Sequence, residues 1–274
     1  MHYLLLNLYL LSLLSIFQFS CMAQNLVPNP SFEELKQLPC NLIAIPAKFQ
    51  THINFWSLPS YGTADIFNTT TDPSCWAYPF GDSYFDMKIG TTSVGVQSPR
   101  TGNSMVGIAV YTPKTEYREY LQVRLLTPLE VGRFYKVSFW VAHASAVHFA
   151  TNQLGFVLLK DSVQVYHAKV LQLPVDFAVN EVITTKFLDW KEISTIIEAK
   201  EEAQYLIIGN FSKDKQLTIQ WIETPLHQAK EMYLAQSAYY FIDDVSITEY
   251  EEDEFAGFRQ RKRLQIDSVV IPNK

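Results

Sequence analysis

Tyr239-Tyr240-Phe241-Ile242-Asp243-Asp244-Val245-Ser246-Ile247-Thr248 reads as a β-strand, and the rest of the chain is best read outward from its two faces. Side chains alternate across a strand. Tyr239, Phe241, Asp243, Val245 and Ile247 therefore share one side, and Tyr240, Ile242, Asp244, Ser246 and Thr248 share the other. The first set is apolar apart from Asp243, which places Asp243 toward the core and Asp244 on a wetter face. A buried carboxylate must be paired, hydrogen-bonded or metal-bound. Two readings of Asp243 follow: a ligand for a hard cation, calcium being the one suited to oxygen donors, or a cap for backbone N–H groups. Carboxylates on opposite faces do not flank one scissile bond, so the Asp243–Asp244 doublet is not expected to be a glycosidase pair.

Upstream, similar runs recur with turn residues between them. Ser104–Tyr111, Glu119–Leu126, Tyr135–Ala142, Gln153–Leu159, Ser162–Tyr166, Trp190–Ile197, Gln204–Phe211 and Leu217–Trp221 are rich in Val, Ile, Phe, Tyr or Thr. Asn25–Phe32 reads as an edge strand, because Pro28 and Pro30 forbid a central position. Only Pro225–Ala235 looks helical. Many strands without a βαβ rhythm predict an all-β, antiparallel sandwich. Between Glu33 and Gly102 lies a long stretch rich in Pro, Gly, Asn, Ser, Thr and aromatics, read as a loop insertion that is functional or hides short strands.

The two ends read differently from this domain. Residues 1–23 hold an apolar run from Tyr3 to Phe19 that ends in Ser20, Cys21, Met22 and Ala23. This pattern is expected to be a signal peptide cleaved before Gln24. An uncleaved anchor needs roughly 20 apolar residues, and Asn7 and Ser12 interrupt this run. Lipidation at Cys21 is the other alternative, although Gln18-Phe19-Ser20 lacks the aliphatic residue of a bacterial lipobox. The domain is expected to span 24–250, followed by a charged tail at 251–274. That tail is read as a solvated segment or as a docking segment for a partner.

Export fits the cysteines. Besides Cys21 there are only Cys40 and Cys75, and the expectation is a disulfide between them. Both lie in polar, Pro-rich sequence where two separate buried thiols have little reason to be. A hydrophobic content of 48% is enough for a core without many disulfides, and a net charge of −6 gives no basic field to attract nucleic acid. No second apolar span is seen, so no transmembrane segment is expected in the mature chain.

Motifs for chemistry are missing. None of the six histidines falls in a metal-binding spacing, and His143 and His148, five apart, point to opposite faces if their strand continues. There is no Gly-x-Ser-x-Gly elbow, Gly-x-Gly-x-x-Gly or P-loop. No enzyme is expected. Aromatic and polar side chains instead cluster in loops. Trp56, Tyr61 and Asp65 lie in the long insertion, Arg100 and Asn103 in a turn, and Tyr117 and Arg118 at a strand start. Flat rings beside amide, carboxylate and guanidinium groups suit the C–H faces and hydroxyl edges of sugars. The competing reading is that Trp56, Trp76 and the tyrosines simply pack beneath the loop.

Several motifs resemble galactose-binding-like jelly-roll modules, a group that includes many carbohydrate-binding modules. Asn25-Leu26-Val27-Pro28-Asn29-Pro30-Ser31-Phe32-Glu33 is similar to their opening strand. Leu121-Gln122-Val123 through Glu130-Val131-Gly132-Arg133-Phe134-Tyr135-Lys136-Val137-Ser138-Phe139-Trp140 is similar to their central hairpin. Tyr240–Ser246 resembles the closing strand. With Pro99–Asn103, Tyr117–Tyr120 and Ile208–Phe211, the set resembles a secreted domain common in Bacteroidota, often fused to peptidoglycan-binding domains of the outer-membrane-protein-A type. The resemblance implies a structural calcium held by carboxylates of the first and last strands, here Glu33 and Asp243. It also implies an exported, non-catalytic module that binds a polysaccharide or cell-wall glycan. The alternative is a structural or adhesion component of the cell envelope that holds a protein partner.

Overall fold

The computed structural model describes residues 24–75, 77, 94–223 and 236–250. The expected signal peptide (1–23, with Cys21), Trp76, the helix expected at Pro225–Ala235 and the expected tail at 251–274 lie outside the described residues.

The chain forms an antiparallel β-sandwich. One five-stranded sheet runs in the order β1 (Trp56–Ser57), β4 (Leu121–Arg124), β10 (Tyr205–Asn210), β7 (Leu154–Leu159), β8 (Phe177–Ala178). The facing sheet runs β2 (Asp65–Asn68), β3 (Ser104–Tyr111), β12 (Ala238–Glu249), β5 (Phe134–His143), β9 (Lys191–Glu198). A separate pair joins β6 (Phe149–Thr151) to β11 (Ile219–Trp221). Among the described residues the insertion carries one short helix, α1 (Pro46–His52), opened by proline at its first position, where the missing N–H has no intrahelical use. The insertion also hides β1 and β2.

The main core lies between the two sheets. Val106, Ile108, Val137, Phe139, Tyr240 and Ile242 meet Leu121, Val123, Phe156, Leu158, Leu206 and Ile208 there. Each sheet is covered on its outer face as well. Phe67, Met105, Ala109, Tyr239 and Phe241 form a second cluster on one side, and Tyr120, Val157, Leu171, Ile207 and Phe211 a third on the other. Burial on both faces explains why β3 reads as a nearly unbroken apolar run.

That double burial corrects the reading of the last strand. Tyr239 and Phe241 face the outer cluster, whereas Val245 and Ile247 face the central core. The phase changes at a bulge between Asp243 and Ser246, where Asp244 takes a φ of 48°. A bulge inserts a residue and reverses the alternation beyond it. Asn25–Phe32 is corrected too. It is irregular rather than a strand, with Asn29 and Phe32 at positive φ. It still closes the edge of the sandwich, because Leu26 donates to Ile247 O at 2.8 Å and accepts from Leu126 N at 2.9 Å. Ser162–Tyr166 is likewise loop, laid over the third cluster through Val163 and Val165.

Cys40 and Cys75 are joined by a disulfide across a separation of 35 residues. It ties the start of the insertion to the turn after β2. Such a bond is compatible with an extracellular protein. Among the described residues no helix is long and apolar enough to cross a membrane.

Candidate functional site

The outer face of the β2–β3–β12 edge carries a cavity of about 240 Å³, lined by Leu42, Ile43, Thr63, Asp65, Thr112, Tyr117, Glu119 and Tyr239. Its polar wall is built from Asp65 and Tyr239 on strands β2 and β12 and from Tyr117 and Glu119 in the segment just before β4. Asp65 opens β2 opposite Gly107, and Tyr239 comes from β12 beside Ala109. Tyr239 lies across β3 and donates its hydroxyl to Asp65 Oδ2 at 2.9 Å. The other oxygen, Asp65 Oδ1, accepts Ile43 N–H at 2.7 Å.

Glu119 occupies the end of β3 much as a pairing strand would. Its backbone N–H donates to Ala109 O at 2.9 Å, and its Oε2 accepts Ala109 N–H at 2.6 Å. The remaining oxygen, Oε1, accepts the Tyr117 hydroxyl at 2.7 Å and both the N–H and the hydroxyl of Thr63 at 3.2 Å. Asp65 and Glu119 are thus two buried carboxylates in one cavity, and none of the ion pairs among the described residues includes either. Burial pushes both carboxyls above the usual range, and the charge of Glu119 raises Asp65 further. Like charges held close in low dielectric resist ionising together, which acts in the same upward direction as burial. Burial also raises the Tyr117 and Tyr239 hydroxyls, which stay protonated donors. A carboxylate has about four acceptor positions, so Asp65, accepting from Ile43 and Tyr239, has capacity left for a ligand hydroxyl.

The sequence expectations divide between this cavity and other places. Asp65 and Tyr117 line it. Tyr61, two residues before Thr63, is 49% exposed and meets Tyr166, 77% exposed, edge-to-face at 5.5 Å. Trp56 is core instead: it is 2% exposed, packs on Phe32, and its indole N–H donates to Asn29 O at 2.9 Å. Arg118 is also not a surface guanidinium. It is fully buried, donating to Tyr117 O, Ser212 O and Asp214 Oδ1. Glu119 and Tyr239 went unrecognised in the sequence. The available signal was the Tyr117-x-Glu119 spacing, which puts a hydroxyl and a carboxylate on one side of an extended segment.

Arg100 and Asn103 belong to a different construction, the turn at 100–104. Asp243 Oδ2 accepts Arg100 N–H at 2.8 Å and Thr101 N–H at 3.3 Å. Glu33 Oε1 accepts Asn103 N–H at 2.8 Å and Ser104 N–H at 2.7 Å. Gly102 sits between them at a φ of +63°, where a Cβ would strike the Glu33 carboxylate. Asp244 accepts from the Ser31 and Thr101 hydroxyls at 2.6 Å and pairs with the Arg100 guanidinium, which lies 3.8 Å over the Trp140 ring. The bulge thus brings Asp243 and Asp244 to one turn, correcting their expected separation. Burial, then the charge of Asp244, pushes Asp243 up to about 7. For Asp244 burial acts upward, but hydrogen bonds from Ser31, Thr101 and Arg100 outweigh it and hold the carboxyl below its usual value. Glu33 and Asp243 therefore grip one turn from its two ends. Among the described residues, no three His, Cys, Asp or Glu side chains are grouped to hold a metal ion.

No protein-family model matches the chain, and no curated protein matches it in sequence. Among solved structures it is similar to a CBM4 module, with 13% identity, a TM-score of 0.36, and coverage of 82% of this chain and 99% of that one. A CBM61 module in complex with β-1,4-galactotriose gives 13% identity and a TM-score of 0.34, over 83% of this chain and 100% of that one. A Stig cyclase from Fischerella sp. TAU gives 12% identity and a TM-score of 0.41, over 82% and 96%. The chain is thus similar, over most of its length and at low identity, to domains that include carbohydrate-binding modules and a cyclase.

Proposed function

We propose that this chain is an exported, non-catalytic carbohydrate-binding module whose main site is the cavity between Asp65, Tyr117, Glu119 and Tyr239. The observation behind this reading is the cavity's chemistry: fixed carboxylate acceptors and tyrosyl donors stand beside the apolar Leu42 and Ile43. Sugars combine hydroxyl edges with C–H faces, so such a wall suits them. At about 240 Å³ the space lies below the roughly 300–1,000 Å³ of drug-sized sites, which favours one sugar ring or a chain end over a long strand. The exposed Tyr61–Tyr166 pair near Thr63 extends the surface for a following unit. The test is a glycan array and a polysaccharide pull-down with the purified domain, repeated with Tyr117→Phe and Glu119→Gln. Loss of binding in both variants, with unchanged melting curves, supports the site. Retention of a protein partner with no glycan bound anywhere would favour an envelope adhesion component instead.

One observation favours a second reading. Two carboxylates buried in one cavity, both pushed above the usual range, can act as acid and base. Slow cleavage of a bound glycan, abolished by Glu119→Gln, would move the protein to the hydrolases.

Calcium enters the proposal as a structural ion at Glu33 and Asp243. What supports it is that both carboxylates singled out by the resemblance reach this one turn. The competing account is that Glu33 Oε1 and Asp243 Oδ2 serve only the backbone N–H groups they accept. Excess chelator should lower the melting temperature if an ion binds the folded state, and an unchanged curve assigns the turn to hydrogen bonds alone.

A further inference from the structure

Trp221, the last residue of β11, is 60% exposed, and its setting is more ordered than that of an isolated surface ring. Its indole lies flat on the His148 imidazole, with centroids 4.4 Å apart and planes 4° from parallel. Phe149, its cross-strand partner, meets the indole edge-on at 5.5 Å. His148 is 6% exposed and is held to the next residue by Ile222 N–H donating to His148 O at 2.7 Å. One indole face is therefore sealed and its orientation fixed, while the ring stays accessible. A single exposed apolar side chain needs no explanation. An indole wedged between a buried ring and an edge-on ring has already given up the rotamer freedom that ligand binding otherwise removes.

A second observation lies beside it. The chain after Trp221 runs into a cleft of about 140 Å³, whose walls include His143, Ser145, Thr185, Lys186, Phe187 and Glu223. Hydroxyls, an amine, a carboxylate and a half-exposed aromatic ring thus line a cleft that begins at Ile222 and Glu223, the two residues directly after Trp221. His148 Nε2 is buried with no hydrogen-bond partner among the described residues. A flat ring next to donors and acceptors matches a pyranose, whose C–H face stacks while its hydroxyls hydrogen-bond.

We infer that Trp221, backed by His148 and flanked by the Ser145–Thr185–Glu223 cleft, is a second carbohydrate-binding site, separate from the Asp65–Glu119 cavity. It takes one pyranose ring of a glycan by stacking. The site does not depend on the cavity being a glycan site. If both are, two contacts on one polysaccharide raise its apparent affinity beyond either alone.

The experiment is native affinity electrophoresis of the full exported domain in gels holding soluble xylan, β-1,4-galactan or a soluble peptidoglycan digest. Wild type, Trp221→Ala, Trp221→Phe and the Tyr117→Phe/Glu119→Gln double variant are run together. Melting curves confirm folding, which the exposure of Trp221 makes safe for its substitutions. The expected result is retardation of wild type in at least one gel, weakened about tenfold by Trp221→Ala and largely restored by Trp221→Phe. The double variant keeps the Trp221-dependent part. Retardation unchanged by Trp221→Ala overturns this site, and if the double variant abolishes it the cavity reading alone survives. Absence of retardation of folded wild type in all three gels also overturns it. So does a change from dimer to monomer in Trp221→Ala, which would show that a second copy covers the ring.

Discussion

The Tyr239 ring lies directly over the Cα of Gly107 and reaches the Asp65 carboxylate at 2.9 Å on the far side of β3. A Cβ on Gly107 would come within 2.3 Å of both Cε1 and the hydroxyl oxygen of Tyr239. Gly107→Ala is therefore expected to displace the ring, destabilise the domain by about 1–3 kcal/mol and weaken glycan binding at the cavity. Urea denaturation and a binding isotherm check this together. A variant of unchanged stability would show that β3 and β12 are looser than described.

The carboxyl groups give the stability curve a definite sign. Asp243 is raised to about 7 by burial and then by Asp244. Asp65 is raised by burial and then by Glu119, and Glu119 by burial. A raised folded-state value means that the folded chain holds the proton more tightly than the unfolded one. The contribution is then full below the unfolded value of about 4 and is lost as pH rises through the folded value. Asp244 is lowered, so its contribution is present above about 4 and lost on further acidification. Thermal unfolding is expected to shift upward from pH 8 to about 5 and to fall again below about 4. Asp243→Asn should flatten the slope between about 4 and 7. A slope that survives this substitution would assign it to Asp65 and Glu119.

The two aspartates also mark what sequence could and could not reveal. Alternation placed Tyr239 with Phe241 and Tyr240 with Ile242, and both pairings are real. It failed from Asp244 onward because a bulge leaves little trace in side-chain chemistry. It also took one apolar face for the core, whereas both faces of β12 are buried. Most of the longer strands were legible because their apolar content is high. The two-residue strands β1 and β8 were not, because pairing rather than pattern makes them. Asp65 and Tyr117 stood out among aromatics in loops. Glu119 did not, since its role depends on Ala109 and Thr63, far from it in the sequence or on another strand. Trp56 and Arg118 were misplaced for one shared reason. Ring and guanidinium chemistry suits a ligand surface and a packed interior equally well, and only burial separates the two.

Arg118 therefore gives a prediction about stability rather than binding. Its guanidinium is buried, donates to two backbone carbonyls, and pairs with Asp214 at 2.7 Å. Arg118→Met leaves those acceptors unpaired, and Asp214, still 23% exposed, keeps part of its hydration. The expected loss is about 2–4 kcal/mol by chemical denaturation. Arg118→Lys should recover only part of it, since an ammonium cannot span the fork. Glycan affinity of the folded fraction should stay at the wild-type value. A folded variant that had lost its ligand would restore Arg118 to the binding surface.

The disulfide links stability to the cavity. Cys40 stands three residues before Ile43, whose N–H anchors Asp65 Oδ1 at 2.7 Å, and Ala77 N–H donates to Cys40 O at 3.1 Å. Breaking the Cys40–Cys75 bond frees a loop of 35 residues' separation, a loss of about 3–4 kcal/mol on the chain-entropy account. For a domain of this size that lowers the melting temperature by roughly 6–16 °C. The effect should not stop at stability. Once the strap carrying Leu42 and Ile43 is loosened, Asp65 loses a fixed donor and the cavity loses its apolar wall. The Cys40→Ser/Cys75→Ser variant is therefore expected to bind glycan more weakly even at temperatures where it is fully folded. The Trp221 platform, remote from the strap in sequence and on a different sheet, should be unaffected. Calorimetric titration well below the melting transition separates the two effects. Equal affinity for oxidised and reduced protein would mean that the strap covers the cavity without shaping it.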